Sequence, residues 1–72
     1  MSQTVDARGL SCPQPVLDTL AAIAAAGSGR IVVIVDTEAS KENVARAAQG
    51  RGWNVDSVEE SGGEYTLNLS KE

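Results

Sequence analysis

The chain has no histidine and no phenylalanine, a single cysteine and only two prolines. Each shortage removes a class of chemistry. Without histidine there is no Cys–His dyad of the kind that thiol proteases use to activate their nucleophile. The same lack removes the usual Cys/His zinc cluster, and no metal or bound cofactor is expected. One cysteine cannot form an internal disulfide, and there is no CxxC pair for dithiol redox chemistry. No apolar run approaches the length that spans a bilayer, so no membrane partner is expected. The start, Met1-Ser2-Gln3-Thr4-Val5-Asp6, is polar and lacks a basic stretch leading into an apolar one, so it does not read as a secretory leader. A cytoplasmic protein with a reduced thiol is the expectation.

What is present sets the scale. The 72 residues suit one small domain, 1–72, with a modest core. A net charge of -4 opposes direct nucleic-acid binding, which needs a basic surface to displace counterions from phosphates. Lys41, Arg46 and Arg51 nevertheless fall in one segment.

Hydrophobic periodicity gives the order strand, helix, strand, helix, strand, strand. Gln3 to Ala7 reads as a short strand. Leu17, Leu20, Ala21, Ile23 and Ala24 recur at helical spacing, so Pro13 to Ala26 reads as an amphipathic helix that Gly27-Ser28-Gly29 ends. Asp18 is placed in its first turns, where a negative charge suits the helix dipole. Arg30 to Val35 holds an unbroken β-branched run, the mark of a central strand. A second helix runs from about Ala39 to Arg51, with Thr37 or Ser40 as N-cap, Val44, Ala47 and Ala48 as its apolar stripe, and Gly52 beyond its end. Trp53 to Glu59 is a strand whose alternation slips at Val58, through a bulge near Asp56-Ser57 or through edge fraying. Ser61-Gly62-Gly63-Glu64 connects it to a last strand, where Tyr65, Leu67 and Leu69 face inward. Trp53 is expected in the core, as the largest apolar group of a phenylalanine-free chain.

Right-handed crossovers place both helices on one face of the sheet, giving a two-layer α/β sandwich. The central strand is apolar on both sides. Either Val32 and Ile34, or Ile31, Val33 and Val35, must then face away from the helices. That stripe is either a contact surface or plain β-propensity.

The cysteine lies in Gly9-Leu10-Ser11-Cys12-Pro13-Gln14-Pro15, directly before the first helix. Proline suits a first helical turn because its φ is preset and it has no amide to leave unpaired. The remaining free amides and the positive end of the helix dipole favour thiolate, the nucleophilic form. Arg8 could bring a guanidinium near the sulfur. Asp6 could hydrogen-bond loop amides, or merely end the first strand. A helix terminus contributes only about 0.3–1 kcal/mol. A thiol of pKa about 8.5 therefore needs further help from Arg8 or from direct amide contacts. The single thiol could take up a group and pass it on, or it could be a mere capping residue in an interaction or regulatory module. Lys41, Asn43 and Arg46, with Glu42, could form a partner-docking face near it, or simply a solvated helix surface.

Asp6-Ala7-Arg8-Gly9-Leu10-Ser11-Cys12-Pro13-Gln14-Pro15-Val16 resembles the Cys-Pro-x-Pro signature of the TusA/SirA family of sulfur carriers. Asp36-Thr37-Glu38-Ala39-Ser40-Lys41-Glu42-Asn43-Val44, Gly52 and the final hairpin are most similar to the YedF-type branch, associated with sulfur or selenium metabolism. The resemblance implies a βαβαββ fold with a mixed four-stranded sheet in the order 1-2-4-3, like the C-terminal domain of bacterial translation initiation factor three. It implies that Cys12 carries sulfane sulfur as a transient persulfide, with Asp6, Arg8, Gly9, Pro13 and Pro15 in support. It implies a sulfur-donor protein, such as a cysteine desulfurase or a rhodanese, and a downstream acceptor protein. In TusA itself the relay leads toward 2-thiouridine in transfer RNA; other relatives serve sulfur oxidation or molybdenum cofactor synthesis. TusA-type sequences often have a basic residue before the cysteine, where this chain has Ser11. YedF-type proteins commonly carry a second domain, which here would be a separate protein.

Overall fold

Six elements form in the expected order: β1 (Ser2–Asp6), α1 (Gln14–Ala26), β2 (Gly29–Val35), α2 (Glu38–Gly50), β3 (Asn54–Ser61) and β4 (Glu64–Lys71). They belong to a computed structural model that describes residues 2–10 and 13–72. The strands make one four-stranded sheet in the order β1-β2-β4-β3. β1 runs parallel to β2, and the other pairs are antiparallel. Both helices pack on one face, and no helix among the described residues is long and apolar enough to cross a membrane.

The two inner strands carry the core. Ile31, Val33 and Val35 of β2 stand opposite Leu69, Leu67 and Tyr65 of β4, and the first five of these side chains are buried. This settles the two-sided strand: Val32 and Ile34 face away from the helices and are half-buried. The reason lies on β4. Its polar alternates Thr66 and Asn68 oppose Ile34 and Val32. A one-residue slip would turn those polar groups into the core, so the clean alternation of β4 fixes the register of β2, whose own pattern is silent.

α1 keeps part of the expected stripe, with Ile23 buried and Leu20 partly buried against the core, but turns the rest of it. Pro15, Thr19, Ala22 and Ile23 are buried, whereas Ala21 and Ala24 are exposed and Leu17 is 52% exposed. Apolar residues surround so much of α1 that periodicity does not select a face. Close packing then selects the side carrying small Ala22 and compact Thr19. The Thr19 hydroxyl donates to the Pro15 carbonyl at 2.8 Å, so burying it orphans no polar atom. Asp18 lies beyond the first turn, which contains no acidic residue, and accepts instead from the Gln14 side-chain amide at 2.7 Å. Gly27, at φ 73°, closes the helix by donating its amide to the Ile23 carbonyl.

Thr37 is the N-cap of α2; its hydroxyl accepts from the Ser40 amide at 3.1 Å. The buried stripe is Ser40, Val44 and Ala48, turned slightly from the expected one, with Ala47 only half-buried. Trp53 is 2% exposed and in the core, and its amide donates to the Ala48 carbonyl. The slip in β3 is a bulge between Val55 and Ser57. It pairs Val55 with Leu69 and Val58 with Leu67, restoring both valines to one side, although Val58 stays 42% exposed on the edge strand. Gly62 and Gly63 both have positive φ, 59° and 84°, as a two-residue primed turn between twisted strands requires.

Leu67→Ala should lower the unfolding free energy by about 2–5 kcal/mol through loss of buried contacts. Gly62→Ala, whose added carbon would meet nothing, should cost only the left-handed backbone penalty of about 1–2 kcal/mol. Urea denaturation of the two variants beside the wild type checks both values.

Candidate thiol-loop site

Because β1 and β2 are parallel, their C-terminal ends lie at the same end of the sheet, where loops tend to build sites. The Ala7 amide donates to the Ile34 carbonyl at 2.8 Å, which carries the strand pairing one residue past β1. From there the chain turns through Arg8 and Gly9 toward α1. Antiparallel β4 begins at this same end, since Tyr65 opposes Val35. Asp6, Arg8, Gly9, Asp36 and Glu64 gather here.

Asp6 performs the tethering role and also ends its strand. Its carboxylate accepts from the Arg8 amide at 3.2 Å, from Arg8 Nε at 2.9 Å and from Arg8 Nη2 at 2.8 Å. A two-pronged guanidinium contact and a backbone bond thus fold Arg8 back on β1. Hydrogen bonds from the Arg8 side chain, then from its backbone, hold the Asp6 carboxyl down at about 2. The same contact, reinforced by Glu64, pushes the Arg8 guanidinium further up. Arg8 Nη1 also reaches Glu64 Oε2 at 3.3 Å, linking the loop to the start of β4. The guanidinium is therefore shared between two carboxylates, and the trio carries one net negative charge. An uncompensated Arg8 cation is not what the described residues form.

Gly9 is held from the residue just past the end of β2. Its amide donates to Asp36 Oδ2 at 2.8 Å, across 27 positions of sequence. Gly9 has φ 77°, a conformation that L side chains rarely adopt. Asp36 and Glu64 are the site residues that sequence reasoning missed. Asp36 carried a usable signal, since it directly follows the central β-branched run. Glu64 carried none, because only the pairing of β2 with β4 brings it to Arg8.

Ser11 and Cys12 lie outside the described residues. Downstream of them, Pro13 is the N-cap of α1 and Pro15 the second helical residue. Among the described residues no side chain caps this end. The amides of Gln14 and Val16 precede the first intrahelical bond, in which the Leu17 amide donates to the Pro13 carbonyl. Pro15 is buried, so the turn is anchored in the core rather than merely stiff.

The suggested docking trio does not share one face. At about 100° per residue, Lys41 and Arg46 are roughly 140° apart around α2, while Asn43 and Arg46 are roughly 60° apart. Lys41 Nζ sits 5.3 Å from the centre of the Tyr65 ring, at the loop end of the sheet. Partial burial, the charges of Glu60 and Glu38, and a hydrogen bond with Glu60 push the Tyr65 phenol up, so it stays protonated at neutral pH. Asn43 is half-buried and Arg46 exposed.

Comparison with known proteins places these features in a group. The family described as Sulfurtransferase TusA matches residues 3–71. A SirA-like protein from Desulfitobacterium hafniense has a similar crystal structure, with 31% sequence identity and a TM-score of 0.86 over 94% of this chain and 95% of that one. Among curated proteins, none matches the chain.

The depressed Asp6 pKa has a definite consequence in acid. The folded value lies below the ordinary 3.8, so Asp6 contributes its full stabilisation above about pH 4 and loses it as pH falls toward 2. Urea midpoints at several pH values should show a smaller loss between pH 4 and 2 in Asp6→Asn than in the wild type. A carboxyl titration of Asp6 by NMR should give a midpoint of about 2.

Proposed function

The chain belongs to the TusA sulfurtransferase family, whose members carry sulfur and relay it between partner proteins, and from that premise we propose that Cys12 is the atom-bearing residue of a persulfide relay. The observation that carries the reading is the family match over residues 3–71, which includes the only cysteine of the chain in its Cys-Pro-x-Pro setting.

The Cys12 thiolate attacks the outer sulfur of a donor persulfide. A new sulfur–sulfur bond forms on Cys12 as the donor's own breaks. The electron pair leaves with the donor cysteine, which departs as a thiolate and takes up a proton. The same exchange in reverse passes the sulfur to an acceptor nucleophile, with no net oxidation in either transfer. The donor is a persulfide-bearing enzyme such as a cysteine desulfurase or rhodanese. Selenium could travel on the same thiol.

The chain's own residues supply three aids. The amides at the start of α1, which no side chain among the described residues caps, favour the anionic forms of the thiol and persulfide together with the helix dipole. Pro13 and buried Pro15 make the mount stiff. Asp6, Arg8 and Gly9 hold the approach to it through the bonds described above. The shared charge of Arg8 limits activation, so the nucleophile is moderate. Such a thiol suits a carrier, which must release its sulfur as readily as it accepts it.

Incubation with a cysteine desulfurase and cysteine should add the mass of one sulfur atom to the wild type, mapped to Cys12 and removed by a reducing thiol. Cys12→Ser should gain none. A folded wild type that gains no sulfur from any of several donor classes would sink the proposal.

A further inference from the structure

The sheet face away from the helices holds a cavity of about 340 Å³, lined by Arg30, Ile31, Val32, Asp56, Asn68 and Leu69. That volume is at the low end of the range for small-molecule sites. Ile31 and Leu69 bury their side chains in the core on the opposite side, so they border the cavity with backbone. Val32 and Asn68 stand opposite each other on β2 and β4 and make its floor. Arg30 precedes Val32 by two positions and shares its face of the strand. The cavity is apart from the thiol-loop site, because Arg30 lies at the start of β2 whereas Asp6 pairs beside Ile34 near its end.

The bulge in β3 builds the other wall. Val55 pairs with Leu69 and Ser57 with Asn68, so Asp56 is the extra residue, with no partner on β4. In an unbroken strand, consecutive side chains take opposite faces. Here Asp56 and Ser57 both serve the open face. Ser57 Oγ accepts from the Asn68 side-chain amide at 2.9 Å, and Asp56 lines the cavity. Re-aiming a side chain in this way is a common use of a bulge. The bond to Ser57 also steadies Asn68 and leaves its amide oxygen open as an acceptor.

Two opposite charges thus face one cavity without meeting. Among the described residues both ion pairs belong to Arg8, and neither the Arg30 guanidinium nor the Asp56 carboxylate has a hydrogen-bond partner. β4 runs between the strands that carry them. Their backbones are therefore two strand spacings, roughly 10 Å, apart. A single amino acid holds its amino and carboxyl groups on one carbon. A dipeptide separates them by up to about 7 Å, which suits charges set on either side of one strand.

We propose that this cavity is a binding site for short peptides with free ends. Arg30 takes the carboxylate with its two-pronged guanidinium, Asp56 takes the ammonium, and the Asn68 amide oxygen accepts from the peptide N–H above Val32. The site involves no thiol, so it stands or falls separately from the relay reading.

The probe is diglycine, titrated into the full chain at low salt and slightly below neutral pH, with backbone amide signals followed by two-dimensional NMR. N-acetyl-diglycine lacks the ammonium and diglycinamide lacks the carboxylate. Diglycine should bind in the millimolar range, as its few atoms allow, and should shift the signals of Arg30, Val32, Asp56 and Asn68 most. Each blocked peptide should bind about tenfold more weakly, because one buried charge contact is lost. Arg30→Gln and Asp56→Asn should each lose about as much for diglycine. Both residues are exposed and outside the core, so the variants keep the fold. Lys71→Gln, which removes a cation beside Gly52 on the helix side, should match the wild type. Shifts that do not saturate, or that spread evenly over the surface, overturn the proposal. So does equal binding of either blocked peptide, or wild-type binding by either charge variant. Shifts that follow protein concentration and not peptide would show that a second copy covers this face, and would overturn it as well.

Discussion

The antiparallel register of β2 on β4 is the constraint on which everything else rests. It stacks Ile31, Val33 and Val35 against Leu69, Leu67 and Tyr65 under the two helices. Burial of these side chains is the main favourable term available to so small a chain, which has no disulfide. The same register determines which groups meet at the loop end of the sheet. Opposing Val35 to Tyr65 sets Glu64 beside the end of β2, and the parallel pairing of β1 brings Asp6 and Arg8 to the same place. A slip of one residue would bury Thr66 and Asn68 and also separate Arg8 from Glu64.

The electrostatics of that end are those of a net-negative surface whose Arg8 cation is fully compensated. Arg8 is bound on both sides by carboxylates, and Asp36 spends its charge on a backbone amide. None of these groups is deeply buried, so water screens them and their value lies in geometry more than in stability. They hold a short, glycine-containing turn to β1, to the start of β4 and to the residue just past β2. A carrier thiol benefits from such an arrangement. Strong activation would stabilise the thiolate as a leaving group and also weaken it as a nucleophile, whereas a carrier has to serve in both capacities.

The remaining surface shows how a small sheet with one open face avoids misuse. Val32 and Ile34 are half-covered there and flanked by Thr66 and Asn68. Edge strand β3 carries a bulge and the acidic residues Asp56, Glu59 and Glu60, features that discourage pairing with a further strand.

The amino-acid order alone determined the sequence of six elements, the hairpin at Gly62-Gly63 and the placement of a proline-flanked cysteine ahead of a helix; it marked a slip in the third strand that only the strand pairing resolved as a bulge. These are local matters, decided by periodicity, by the φ that glycine permits and by the amide that proline lacks. The family signature around Cys12 was legible for the same reason, being contiguous. Tertiary structure decided the rest. It chose the buried side of α1, because a helix of alanines and leucines offers several apolar faces and only the sheet selects the one that packs closely. It chose the outward side of β2, because a strand apolar on both faces takes its orientation from the polar alternates of its neighbour. It recruited Asp36 and Glu64 to the loop, because hydrogen bonds between residues 27 and 56 positions apart exist only once the strands have paired.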